Sequence, residues 1–576
     1  MKNFKEFKPL WNFIKEERIK LILASIFIFI SEFAEIANGY LNGASVEAIT
    51  NMELKRAVSF LVLYLFFRIV FDSIVNTYAS SVLQKIESKV TRKLGFNTYK
   101  KALDLPSYAY EKTSSGEIIN RITNDADTLS FAFGHLLSVI SALIGSFVVL
   151  IYVFINSWII GIEITIFMII FYFITNKYNP KLKEVHKQRK KGQDEFSSLV
   201  NESIRGIREI KTLGIKKNLI NEMNDIIHTI FDKSKKEVDI WKRYRILSRV
   251  LKAFLEVLVF LSCVVLLYYK MTTLTFFIAM TYYVYRFMWL IENINDFSIM
   301  YQKTSVALSR VNELLENRLY EDEVFGNKTL KDCKGVIEFK NVTFAYPDEK
   351  PILKDFNLKL EPNKKIAIIG KSGQGKSTLF NMITRIFDPI KGEVLLDGIN
   401  IKDLTENDLR KNISIIRQEP FIFNRTIKDN FKLVNKNIKL SKIKEYSKMA
   451  YLDEYIDTLP KKYNTKLGEG GVNLSGGQKQ RLSIARALTK ESKVLLFDEA
   501  TSALDNNSQE YIKKAIDNLV KDHTVVIVAH RLSTIIDADI IYVVDKGKVV
   551  AQGSHNELLK TNAVYKGLYE TESLNS

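Results

Sequence analysis

Cysteine is nearly absent from this chain. Two cysteines in 576 residues cannot build a disulfide framework. Cys263 and Cys333 show neither metal-ligand nor redox spacing, so thiol chemistry is excluded as the function. No cleavable export signal is evident: Trp11 to Lys20 is amphipathic and charged, like a short helix lying on a membrane surface. No internal repeat is visible. Acidic residues are in deficit: 65 Asp and Glu against 83 Lys and Arg give a formal charge of +18 and a pI near 9.3. Such a balance suits nucleic acid. Here, however, the chain also carries long apolar runs, which exclude nucleic-acid binding as the main role.

Those runs lie before residue 300: about Ile19–Leu41, Val58–Ala79, Phe133–Ile155, Trp158–Thr175, Val250–Tyr269 and Leu274–Ile294. Each is near the roughly 20 residues a helix needs to cross a bilayer. A soluble core does not need six such runs. Long basic connections follow the second and fourth runs, and Lys177 to Lys191 is the densest. The excess of positive charge on the inner side therefore puts both termini and both long connections in the cytoplasm. High Lys, Ile and Asn usage points to an AT-rich bacterial genome.

The second half has a different character. Gly370-Lys371-Ser372-Gly373-Gln374-Gly375-Lys376-Ser377 fits the G-x-x-x-x-G-K-[ST] phosphate loop at every fixed position. The apolar run Ile366 to Ile369 before it reads as a buried strand, and Thr378 onward as a helix whose N-terminus faces the phosphates. Lys376 can reach the β- and γ-phosphates, and Ser377 can ligate Mg²⁺. Further on, the strand-like run Val494 to Phe497 ends in Asp498 and Glu499. A strand-end Asp is where a nucleotide-hydrolysing site holds Mg²⁺, and the next Glu is placed to orient or deprotonate water.

Between these motifs lies Leu474-Ser475-Gly476-Gly477-Gln478. With it the chain closely resembles the ATP-binding cassette family. The resemblance implies that Ser475 to Gln478 are a signature motif contacting the γ-phosphate of an ATP held on a partner cassette. It implies that Gln418 senses Mg²⁺, that His530 contacts the γ-phosphate, and that Tyr346 stacks on adenine. Asp505 would end the loop that crosses the dimer interface. Leu105 to Asp125, with Gly116, Glu117, Arg121 and Asp125, is similar to the first intracellular loop of type I exporters. Glu202 to Gly214 is similar to the segment beyond their fourth span. In that family the long spans continue into the cytoplasm and end in short helices on the cassettes.

The expected fold is a six-span α-helical transmembrane domain (1–317), a linker (318–335), an α/β nucleotide-binding cassette (336–571) and a short tail (572–576). No peptidase or substrate-binding domain is expected before the membrane part. The resemblance implies ATP-driven export of a hydrophobic or amphipathic compound by a dimer of half-transporters. A homodimer is favoured over a heterodimer because both faces of the cassette look intact. A lipid translocator, and a non-pumping channel or sensor, are the rival readings; Glu499 and the intact signature argue against the last. Membrane lipids are partners and nucleic acid is not.

Charges interrupt several runs: Glu32, Glu35, Arg68, Asp72, Glu163, Glu256 and Arg286. They should face a cavity or one another, since an ionisable group facing lipid is costly. Arg68 and Asp72 share a helix face and can neutralise each other. Glu32 and Glu35 have no basic neighbour in their own run, so they are the candidates for an acidic substrate cavity suited to cationic amphipaths.

The intact cassette predicts that the purified chain hydrolyses ATP without another subunit. ATPase activity missing from a folded, purified sample, and restored by a second gene product, would reject this.

Overall fold

The apolar runs fold as helices that continue well beyond their apolar stretch. The structure is a computed structural model describing residues 15–113, 115–316, 320, 322–346, 349–371, 373–468, 471–499, 506–528 and 535–573. Among these, the helices Leu54–Leu103, Gly116–Asn156, Trp158–Arg205 and Lys216–Tyr268 are long and apolar enough to cross a membrane. The expected first and sixth runs lie on the helices Arg18–Thr50 and Leu274–Leu315, which carry Glu32, Glu35 and Arg286. Residues 11–14 of the expected surface helix lie outside the described residues. From Arg18 the chain is already in the first long helix.

The lengths exceed what hydropathy marks. The 48 residues of Trp158–Arg205 make a helix roughly 70 Å long, against a hydrocarbon layer of about 30 Å. The charged extension stays helical through local and cross-helix pairing. Gln188 donates to Glu184 one turn earlier (2.8 Å), and Arg189 and His186 both meet Glu237 of the helix Lys216–Tyr268 (2.6 and 3.2 Å). Within the bilayer-length part, Ile166, Ile169, Ile170 and Phe173 stay exposed, while Ile164, Phe167 and Phe171 pack on Leu255 and Val259. An apolar surface on that scale suits lipid, not water.

The chain forms two compact units: residues 1–103 with 115–319, and residues 104–114 with 320–576. Residues 104–114 sit inside the expected membrane domain by position, yet they belong to the second unit. There Tyr108 packs on the cassette core and on the ring of Tyr320, and the short helix Ala109–Lys112 follows it. In the first unit, buried Arg121 pairs with Glu117 (2.7 Å) and lies 3.6 Å from Glu313, while Asp125 pairs with Arg310 (2.6 Å). These contacts tie the helix Gly116–Asn156 to Leu274–Leu315, and they give a physical role to residues that stood out in the sequence.

The second unit holds two sheets. One is antiparallel, in the order β2-β1-β4-β5, where β1 is Ile337–Phe344, β2 Leu353–Leu360, β4 Lys391–Leu396 and β5 Ile399–Asn400. The other has the order β10-β9-β3-β8-β7-β6, with β3 Lys365–Ile369, β6 Ile413–Ile416, β7 Val494–Asp498, β8 Thr524–Val528, β9 Ile540–Asp545 and β10 Lys548–Gly553. Strands β9, β3, β8, β7 and β6 run parallel. β3 and β8 are buried along their whole length, the unbroken apolar pattern expected of strands covered on both faces. In such sheets ligands bind beyond the carboxyl ends of the strands, and both nucleotide motifs lie there.

β3 begins on a buried cation. Lys365 Nζ, on a residue only 4% exposed, donates to Asp517 (2.7 Å) and Asp537 (2.8 Å). Burial would raise the Asp537 carboxyl, but Lys365 and Lys513 outweigh it and hold the group below the usual carboxylate range. Lys365→Ala leaves both acids without this partner. Because both are partly exposed, the expected loss is about 1–2 kcal/mol in the cassette's unfolding transition. A depressed carboxyl stabilises the fold above its unfolded pKa. The contribution should therefore be intact above about pH 4 and fade as pH falls below it. Equal stability of wild type and variant at neutral pH would contradict this.

Candidate functional site

At the carboxyl end of β3 the chain turns sharply into the helix Lys376–Ile383. Gly370 lies so close to the Val544 carbonyl of β9 that any Cβ would strike it. Gly375 caps the helix with φ at +85°, a left-handed conformation that suits glycine. The loop between is tied down by Gln374, whose side-chain oxygen accepts from the Lys546 amide (2.6 Å) in the turn after β9. Lys376 is buried and donates to the carbonyls of Gly370 (2.8 Å) and Lys371 (2.9 Å). Burial pushes its ammonium pKa down, and the charges of Glu499 and Asp498 oppose that shift. This places a cation and a helix N-terminus at one rim, an arrangement that binds phosphate oxygens.

β7 brings the acids to the same rim. Ser377 donates to the Asp498 carboxylate at 3.0 Å. Burial raises the Asp498 pKa, and the hydrogen bond from Ser377 offsets part of it. A hydroxyl beside a carboxylate is an oxygen-only donor pair. It fits Mg²⁺, which is held by one or two protein carboxylates with substrate phosphates completing the shell. Glu499 follows with φ at +47°, and its amide donates to the Val528 carbonyl of β8 (2.9 Å). Non-glycine residues with such a φ are uncommon. Here the strained turn comes directly after the strand-end acid, a placement typical of functional sites.

Gln418 lies just past the end of β6 on an exposed stretch. Its position depends on a residue that sequence reading missed. Gln480, only 2% exposed, donates to the carbonyls of both Arg417 (2.9 Å) and Gln418 (2.6 Å). Gln480 sits on the helix Gly476–Leu488, so the signature helix holds the Gln418 loop. Its proximity to Ser475 in sequence was the available signal. Ser475 and Gln478 form a reciprocal capping box at the start of that helix, with Gly477 buried between them. These two residues therefore have a structural task whatever they contact on a partner. Tyr346 packs edge-on against Phe344 and Phe387, and its hydroxyl lies 3.1 Å from that of Thr378. Ser372, Asp505 and His530 lie outside the described residues.

The membrane unit contains a cavity of about 1080 Å³ lined in part by Glu32, Glu35 and Asp72. Glu32 and Glu35 pair with no cation of their own helix among the described residues, but Arg286 reaches both from Leu274–Leu315, at 3.0 Å for Glu35. Arg68 does not neutralise Asp72 by an ion pair; it donates instead to the Tyr64 hydroxyl (2.6 Å). Glu163 accepts from Ser262 (2.6 Å) and Glu256 from Tyr285 (3.0 Å).

Comparison with known proteins bears on the family and the fold. The family model described as ABC transporter matches residues 353–502, and that described as ABC transporter transmembrane region matches residues 21–293. The ATP-dependent lipid A-core flippase of Pasteurella multocida is 30% identical over 581 residues, covering 98% of each chain. That of Wigglesworthia glossinidia brevipalpis is 31% identical over 501 residues, covering 86% of this chain and 85% of its own. A solved bacterial Atm1-family ABC exporter with ATP bound superposes with a TM-score of 0.82 at 23% identity, covering 96% of this chain and 98% of that one. That last likeness speaks for the fold.

Glu499, next after the strand-end acid, is the residue expected to handle water. Glu499→Gln should lower ATP turnover roughly 10²-fold or more, the range for loss of a general base, with nucleotide binding retained. Lys376→Ala should weaken ATP binding instead. Normal steady-state turnover by Glu499→Gln would show that another group does this work.

Proposed function

The chain belongs to the ABC transporter family as an exporter half-transporter, an ATPase coupled to transport, and from that premise we propose that a pair of these chains moves an amphipathic compound out through the bacterial cytoplasmic membrane. The observation that carries this reading is the meeting of Ser377 and Asp498 at 3.0 Å beside Lys376 and Glu499, in a chain whose other unit is built of membrane-length helices.

In this account the amides of Gly370 to Thr378 and the Lys376 ammonium hold the phosphates. Ser377, Asp498 and Gln418 hold Mg²⁺, which when bound neutralises phosphate charge. Glu499 orients or deprotonates the attacking water. Tyr346 offers its ring to the adenine. Ser475, Gly476, Gly477 and Gln478 of one chain face the nucleotide on its partner, with His530 and Asp505 completing the site. Six helices cross the membrane, and both termini and the cassette face the cytoplasm. Two identical chains suffice.

The relatives' name favours a second form of the same activity, in which the compound is a lipid moved between leaflets. Proteoliposomes separate the two. A fluorescent phospholipid quenched by an impermeant reductant reports flipping, and uptake of a soluble amphipathic dye into inside-out vesicles reports export. ATP-dependent movement of the dye is the expected result, and movement of the phospholipid instead would favour the lipid form. Hydrolysis that moves neither would contradict the proposal.

A further inference from the structure

The wall of the membrane-unit cavity is charged unevenly. Among the described residues it presents the carboxylates of Glu32, Glu35, Asp72 and Glu87 and the single guanidinium of Arg286. Arg286 spans the two glutamates of the helix Arg18–Thr50, but the two ends of that bridge differ. The Glu32 side chain is 18% exposed, that of Glu35 63%. Gly145 on the neighbouring helix makes the space, because a Cβ there would strike the guanidinium. No cation lies within ion-pair distance of Asp72 or Glu87 among the described residues.

The backbone also shapes this wall. Asp72 stands on a π-helical stretch, Arg68–Val75, within the helix Leu54–Leu103. Such stretches are frequent at functional sites. The hydroxyl of Ser31 donates to the Phe71 carbonyl (2.9 Å), bracing the stretch from the facing helix. A second feature points to a ligand independently of the acids. Ser141, on the same wall and 1% exposed, has a hydroxyl without a hydrogen-bond partner among the described residues. The helix of Arg286 adds the rings of Tyr282, Tyr285 and Trp289 to the wall.

Carboxylates in a membrane interior are costly unless paired, and aromatic faces attract cations. We propose that this cavity takes amphipathic cations, and that Arg286 is the built-in competitor which an incoming cation displaces from Glu35. Arg286 keeps its bond to the shielded Glu32 during the exchange, so one ion pair replaces another without leaving the guanidinium unpaired. The selection is by charge, with the rings accepting apolar bodies of varied shape. Arg286 is thus a specificity-determining residue. This rests on the transport function proposed above and names the substrate class for it.

The test uses the full-length chain in phosphatidylcholine nanodiscs, without ATP. Equilibrium dialysis measures tetraphenylphosphonium and its anionic counterpart of like shape, tetraphenylborate, against empty nanodiscs. Wild type should bind the cation more tightly than the anion. Glu35→Gln should weaken cation binding roughly tenfold, about one ion pair's worth. Arg286→Gln, which removes the competitor, should tighten it by a similar factor, and Arg286→Lys should restore wild-type behaviour. Removing Arg286 leaves two carboxylates side by side. The double variant Glu32→Gln with Arg286→Gln removes one charge of each sign and keeps the test usable should that crowding prevent folding; it should retain the cation preference through Glu35. Equal binding of both ions by wild type, or a cation affinity unmoved by Glu35→Gln, would overturn the inference. The assay needs no turnover. Charge-selective binding by a chain that moves nothing would sink the proposed transport and leave this inference standing; transport with no charge preference would do the reverse.

Discussion

Everything chemical in this chain depends on two buried strands ending at the same rim. β3 delivers Ser377 and β7 delivers Asp498, and the two meet at 3.0 Å although 121 residues separate them. Neither strand touches the other; β8 lies between them. The parallel register of all three therefore sets the contact, and full burial of β3 and β8 makes that register hard to slip, since a one-residue shift would reverse every side chain. Burial has an electrostatic consequence as well. It lowers the Lys376 ammonium pKa and raises that of Asp498, so burial disfavours the charged form of each and a partner of opposite charge would favour it. A phosphate for the first and a divalent cation for the second would relieve both.

The membrane unit obeys the same rule in a harsher solvent. Ion pairs and hydrogen bonds join Glu32, Glu35 and Arg286, Glu163 and Ser262, and Glu256 and Tyr285. The partners come from different helices, so the charges also fix how the helices pack. Asp72 and Glu87 have no cation partner among the described residues, although Glu87 accepts from the Gly134 amide, and both stand on a cavity wall. Polarity without a cation partner at one place, amid pairing elsewhere, distinguishes a surface built to meet something from one built to hold the fold.

The cassette was legible in the sequence because its chemistry demands particular residues at fixed spacing. Phosphate binding needs a glycine where a Cβ would strike β9, another in the left-handed region before the helix, and a lysine at the start of the helix; these requirements leave a pattern that reads without coordinates. The strand β3 and the acid pair at the end of β7 were legible for the same reason. The membrane helices were only partly so. Hydropathy marked the apolar stretches, but not that the helices continue through charged segments, because pairs such as Arg189 with Glu237 form between distant stretches. The partner of Glu32 and Glu35 was hidden likewise, since Arg286 is some 250 residues away and no spacing rule connects them. Gln480 escaped notice because its task is to hold two backbone carbonyls, which any residue would present. That residues 104–114 belong with the cassette depends on the packing of Tyr108, which local pattern does not reveal.

The central claim is that the contact of Ser377 and Asp498 is a metal-dependent ATP site. Its most direct test is the Mg²⁺ dependence of ATP hydrolysis by the purified chain and by Asp498→Asn, together with binding of a fluorescent ATP analogue in EDTA. The account predicts that the variant binds the analogue without metal as wild type does, yet hydrolyses ATP poorly or only at far higher Mg²⁺. An Asp498→Asn protein that turned over ATP at the wild-type rate, with the wild-type Mg²⁺ requirement, would contradict it.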